Sequence, residues 1–257
     1  MKILLPPSEG KADAPSRGRA LALGALSFPE LHDARLQVLD ATVRLCQGSQ
    51  TRAMKALGLT PGLSDAILTN AQLRKSATLP ARELYTGVLY DALSLTELPA
   101  TARKRADSSL LIFSALFGVL RPSDSIPPYR LSPSAKVPGL PSLATHWRAP
   151  LSEALTRECA DELVLDLRSG PYAAMWRPRG EIAERTVTMR VLHETAPGKR
   201  QVVSHFNKAT KGRIVAGLLR RALPTSTDAL ITALAAAGWT VEPDNTGRCL
   251  DVIVSQL

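Results

Sequence analysis

Aromatic residues make up only 4% of this 257-residue chain, and histidine occurs four times. So few rings argue against an extended platform on which successive nucleic-acid bases could stack. His32, His146, His193 and His205 show no HxxxH or HxE spacing, so no metal or hydrolase signature rests on them. Cysteine is scarcer still. Cys46, Cys159 and Cys249 are far apart and odd in number, with no CxxC pair, so they suggest neither a disulfide framework nor a zinc site. Three buried structural thiols in a reducing compartment are expected. No apolar run reaches membrane-spanning length without charges, and Met1–Pro7 is too brief for the apolar region of a signal peptide. The expectation is a cytoplasmic protein with no membrane partner, no bound metal and no cofactor.

Positive charge is what the chain has in excess. Its 32 Lys and Arg face 23 Asp and Glu, a formal net charge of +9, which favours polyanionic partners such as nucleic acid. A hydrophobic content of 45% is enough for a sizeable core in a chain of this length.

The pattern predicts one mixed α/β domain over residues 1–257, a central mixed sheet with surrounding helices, and no repeat or linker. Lys2–Leu5, Leu110–Phe117, Leu163–Arg168, Thr186–His193, Arg200–Phe206 and Leu250–Ser255 read as strands. Helices are expected over Phe28–Cys46, Thr51–Leu57, Gly62–Arg74, Arg82–Leu93, Glu97–Ala106, Leu143–Cys159, Lys208–Leu223 and Thr227–Ala237.

Several loops carry chemistry. After the strand Leu110–Phe117, the run RPSDSIPPYRL places Arg121, Asp124, Tyr129 and Arg130 on a loop that Pro122, Pro127 and Pro128 stiffen. Ser8, Glu9 and Lys11 follow the first strand, where α/β proteins commonly place ligands. The spacing of a P-loop is absent. Arg168, Ser169 and Tyr172 follow another strand, with Trp176 nearby. Lys208, Lys211 and Arg213 crowd the amino end expected for an amphipathic helix, where cations oppose the helix dipole and a bound phosphate would reverse the penalty. The ordinary alternative in each case is a solvated or paired charge. Ser114, Ser169 and Ser204 become nucleophiles only if the fold brings a base to them. Leu57–Leu68 resembles a helix–hairpin–helix with Pro61 and Gly62 in the hairpin, although Ser64 stands where that motif usually has a second glycine.

Taken in order, MKILLPPSEGK, Tyr85-Thr86-Gly87 with Tyr90, SALFGVLRPSDSIPPYRL, VLDLRSGPY and VVSHFNKATKGR resemble the signature segments of the YaaA peroxide stress family across nearly the whole chain. VLDLRSGPY departs from the NLAS-x-EY form of other members. The resemblance implies a compact fold with a basic cleft, a helix–hairpin–helix-like element, and a role in limiting iron-driven oxidative damage. It also implies binding of double-stranded DNA, largely without sequence preference, by a protein expected to be monomeric. The alternative is an enzyme acting on a nucleotide or other phosphorylated ligand where the strand-end loops converge.

Overall fold

In the computed structural model, which describes residues 1–196, 199–202 and 204–255, the apolar segment Lys2–Leu5 forms strand β1. Its Ile3, Leu4 and Leu5 are wholly buried, as in a strand covered on both faces. Single 3-10 turns at Leu23–Ala25 and Pro29–Leu31 lead into α1 (His32–Gln47). Then come α2 (Gln50–Leu57), a 3-10 turn at Pro61–Leu63 and α3 (Asp65–Ala71). The chain continues through β2 (Leu79–Pro80), α4 (Ala81–Leu84), α5 (Val88–Leu93) and α6 (Ala100–Ser109). Strands β3 (Leu110–Ser114), β4 (Gly118–Leu120) and β5 (Ser125–Ile126) precede α7 (Leu143–Glu158) and β6 (Val164–Asp166). Short helices α8 (Gly170–Ala173) and α9 (Gly180–Glu184) lead to β7 (Thr186–Ala196) and β8 (Lys199–Val202). The last elements are α10 (Ser204–Leu219), α11 (Thr227–Ala235), β9 (Thr240–Pro243) and β10 (Cys249–Val254).

Seven strands of the main sheet lie in the order β4-β3-β1-β6-β7-β10-β9, and the eighth, β8, pairs with β7. The five central strands run parallel, in register at Ile3 with Leu110 and at Leu4 with Asp166. Antiparallel β4, β8 and β9 extend it, making the mixed sheet that the sequence predicts. The chain leaves β1 toward β3 on one side and later returns to β6 on the other. That reversal opens a crevice beyond the carboxyl ends of β1 and β6, the usual ligand position in an open α/β sheet.

Three expected elements take a different form. The run Leu110–Phe117 is not one strand: it folds back at Ser114, and β4 pairs antiparallel with β3. The Ser114 Oγ accepts hydrogen bonds from Leu116 N at 3.2 Å and Phe117 N at 3.0 Å, and Gly118 takes φ +74° to complete the turn. A Cβ at Gly118 would lie 2.7 Å from the Trp147 ring. The fully buried Arg35 of α1 secures this reversal, donating to the carbonyls of Phe117 and Val119. Burial pulls its guanidinium pKa down to about 10, and Asp124 opposes the shift.

The second is the expected helix Arg82–Leu93, which breaks into α4 and α5. Gly87 adopts φ +92°, and its N–H donates to Asp91 Oδ1 at 2.9 Å. The third is the late helix, which begins at Ser204 and replaces the end of the strand expected over Arg200–Phe206. Val203 and the side chains of Ser204, His205 and Phe206 lie outside what the structure describes. Gly212 sits where α10 crosses α5. A Cβ there would approach Ala92 Cβ to 2.9 Å and overlap the Leu89 carbonyl oxygen.

Candidate functional site at the strand ends

A cleft of about 330 Å³ opens beyond the carboxyl ends of the central strands. One wall is the turn after β1, Pro6 to Glu9. Gly87–Tyr90 at the start of α5 form another, and Ser169, Tyr172 and Lys208 come from the α8 loop and α10. The fold therefore gathers Ser8, Glu9, Ser169, Tyr172 and Lys208 from distant parts of the sequence. Among the described residues, the Ser8 and Ser169 hydroxyls, the Tyr172 hydroxyl and the Lys208 ammonium have no hydrogen-bonding or ionic partner. Burial raises the Tyr172 hydroxyl pKa well above its usual value, with the surrounding Tyr129 and Glu9 adding to the shift. Tyr172 is therefore a neutral donor.

Lys11 lies behind the Ser8–Glu9 turn. The backbone here is fixed by an antiparallel bridge between Lys11 and Tyr85 and by the Thr86 N–H donating to the Gly10 carbonyl at 3.2 Å. The Lys11 Nζ donates to the Ser8 carbonyl at 2.8 Å, and it stands 4.3 Å from the Tyr129 ring centroid and 5.4 Å from that of Tyr85. Burial lowers its pKa to about 8, Glu9 opposes the shift, and Arg130 adds to it. Beneath it runs a buried hydroxyl chain. Tyr85 and Tyr129 are joined at 2.8 Å, and Tyr129 and Ser114 at 2.7 Å. Burial holds both tyrosines far above their normal pKa. Ser114 is thus a buried turn residue, hydrogen bonded to Tyr129 and two backbone amides.

Arg130 joins this group to α3. Its Nη2 lies 3.1 Å from Glu9 Oε2. Its backbone N–H donates to Asn70 Oδ1 at 2.9 Å, and its carbonyl accepts from Asn70 Nδ2 at 2.8 Å. Pro61 and Gly62 lie in the exposed turn between α2 and α3, which leads into the helix that carries Asn70.

The other half of the same proline-rich box goes elsewhere. Because β4 runs back along β3, Arg121 emerges at the amino ends of the strands, the far end of the sheet from the cleft. Its guanidinium donates to the Ser108 carbonyl and to Glu158 Oε1, both at 2.7 Å, and Lys2 joins Glu158 from the start of β1. Burial tends to raise the Glu158 pKa, but the hydrogen bonds from Lys2 and Arg121 outweigh it and hold the carboxyl below its usual value. Asp124 accepts from the Arg121 and Ser27 N–H groups, both at 2.8 Å. Arg121 and Asp124 therefore brace the end of the sheet.

Arg168 is committed as well. It grips Asp166 with Nε at 2.8 Å and Nη2 at 2.6 Å, donates from Nη1 to the Trp176 carbonyl, and stacks 4.3 Å over Phe113. It shapes the loop that presents Ser169 and Tyr172. On α10 the early start of the helix puts Lys208 in its second turn and Lys211 in its third, away from its free amides. Lys208 faces the cleft, Arg213 is exposed, and Lys211 is half-buried. Burial lowers the Lys211 pKa, and the charge of Asp166 opposes that shift.

Reading the sequence misses Asn70, an ordinary helical residue with no motif around it, and Val88 and Leu89 in the cleft wall. Tyr90 was visible in its box. What the structure adds is its hydroxyl, which donates to the Pro6 carbonyl at 2.8 Å and ties α5 to the β1 turn. No group of three or more His, Cys, Asp and Glu residues is placed to hold a metal among the described residues. No helix among them is long and apolar enough to cross a membrane.

The family described as peroxide stress protein YaaA matches residues 1–245. A UPF0246 protein of Streptomyces coelicolor is 51% identical over 263 residues, covering all of both chains. Another from Corynebacterium efficiens is 40% identical over 253 residues, covering 96% of this chain and 97% of its own. A protein of Campylobacter jejuni described as uncharacterized is 28% identical over 212 residues, 82% of each chain. By the extent of the family match and these full-length relatives, the chain belongs to the peroxide stress protein YaaA family.

Proposed function

We propose that this protein serves the peroxide response by binding DNA largely without regard to sequence, and so helps limit iron-driven oxidative damage. The observation that carries the reading is the paired hydrogen bond between Asn70 and Arg130. It ties α3, which follows the turn at Pro61 and Gly62, to the Arg130–Glu9 pair beside the cleft, which supports reading the two as parts of one DNA-contacting surface. Lys208 and Arg213 on α10, and Arg52 and Lys55 on α2, have no ion-pair partner among the described residues and are available to phosphates. With an excess of nine positive charges over the chain, such contacts give affinity without base readout.

The test is fluorescence anisotropy with duplex and single-stranded DNA across a salt series. Contact with about six phosphates gives a slope near −5 in log K against log salt. Lys208→Ala is expected to weaken binding and flatten that slope by about 1. A flat salt response in the parent protein would count against the reading.

A second reading is supported by the size of the cleft. About 330 Å³ is at the small end of ligand sites, and the partnerless hydroxyls and ammonium that line it suit one phosphorylated small molecule. Binding of a free nucleotide without binding of DNA would favour this reading.

A further inference from the structure

We propose that the cleft takes a phosphomonoester of nucleotide size, whose phosphoryl group replaces the Glu9 carboxylate on Arg130 beside Lys11. The inference rests on the reading of this cleft as the phosphate-binding face and names the form of phosphate it prefers.

Glu9 marks where an anionic oxygen sits. Its Oε2 lies 3.1 Å from Arg130 Nη2, yet the side chain is 66% exposed. An ion pair so open to water holds weakly, so an incoming anion can displace it at little cost. Lys11 stands beside the same turn with one of its three N–H donors used, on the Ser8 carbonyl. Tyr129 and Tyr85 face its ammonium, Glu9 and Arg130 flank it, and Lys208 lines the cleft in front.

Charge balance sets the preference. Glu9 supplies one negative charge to the two cations Lys11 and Arg130. A phosphodiester in its place also supplies one and gains nothing. A phosphomonoester carries about −1.5 to −2 near neutral pH, with three acceptor oxygens, and satisfies both cations. The rest of the ligand has room for about one nucleotide, and the Tyr172 and Ser169 hydroxyls are available to it. A free nucleoside monophosphate and the 5′-phosphorylated end of a DNA strand offer the same chemistry.

The test uses the full chain with labelled oligonucleotides of one sequence, 5′-phosphorylated or 5′-hydroxyl, and with a nucleoside 5′-monophosphate and its parent nucleoside as competitors. The phosphorylated strand is expected to bind at least tenfold tighter than the hydroxyl strand. The monophosphate should compete and the nucleoside should not. Glu9→Gln, a change on an exposed side chain, is expected to tighten phosphomonoester binding several-fold by removing the resident carboxylate, and Lys11→Met to abolish the end preference. Equal affinity for both strands without competition overturns the proposal and leaves general DNA binding standing. Binding of the monophosphate with no oligonucleotide binding supports the proposal and overturns the DNA reading. Unchanged or weaker binding by Glu9→Gln overturns the displacement of Glu9.

Discussion

Asn70 and Arg130, sixty residues apart, exchange a reciprocal pair of hydrogen bonds, the Asn70 amide matching the Arg130 backbone donor for acceptor. The pairing is that of a strand ladder, supplied by a buried side chain, and it seats α3 on the loop that carries Arg130 toward Glu9. Asn70→Ala leaves both backbone groups unsatisfied and is expected to cost about 1–3 kcal/mol, seen as a lowered midpoint in urea. It should also loosen the hairpin and weaken DNA binding.

Arg121 and Lys208 are expected to behave in opposite ways. Arg121→Ala removes a half-buried brace to Glu158 and should lower stability by about 1–3 kcal/mol, while DNA affinity stays within about twofold. Lys208→Ala should leave thermal stability unchanged and reduce affinity. Urea titration and anisotropy on both variants check this.

Much of the architecture can be read in the linear chain, because long apolar runs and helical spacing record burial directly. Lys2–Leu5 and the helix expected over Leu143–Cys159 show this plainly. The box from Arg121 to Arg130 shows where such reading stops. Its spacing suggests one cluster, but the fold-back at Gly118 sends Arg121 and Asp124 to one end of the sheet and Tyr129 and Arg130 to the other. A reversal that depends on one glycine and on a buried arginine 82 residues before Phe117 leaves no periodic trace. The convergence of Ser8, Ser169 and Lys208 was foreseeable only as loops that follow strands.

Lys11 makes stability depend on pH in a definite direction. Its folded pKa, about 8, lies below the 10.5 of the unfolded chain. The unfolded state therefore binds more proton between these values, and the contribution of Lys11 to stability rises with pH across that window. The tyrosines and Cys159, whose folded pKa values are raised, pull the other way at the alkaline end. The difference between wild type and Lys11→Met isolates the effect. Relative to the variant, wild type should gain stability from pH 8 to 10.5 in chemical denaturation.

The thiols differ in reactivity. Burial pushes Cys159 up to about 12, with Glu158 adding to the shift, and burial also raises Cys46. Only the thiolate reacts, so neither is expected to be alkylated or oxidised at neutral pH while the protein is folded. Cys249 is partly exposed and should be labelled first by iodoacetamide, as mass spectrometry would read.

Gly212, at the crossing of α10 and α5, has a wider consequence. The two helices touch backbone to side chain there with no room for a methyl group, and each carries one jaw of the cleft: Lys208 stands one turn before the crossing on α10, and Gly87–Tyr90 open α5. Two rods locked at a common pivot cannot spread, so the aperture has a fixed span on that side. The Ser8–Lys11 turn is tied in its turn to Tyr85 and, through Pro6, to Tyr90, so a guest meets a slot whose walls are already braced against one another.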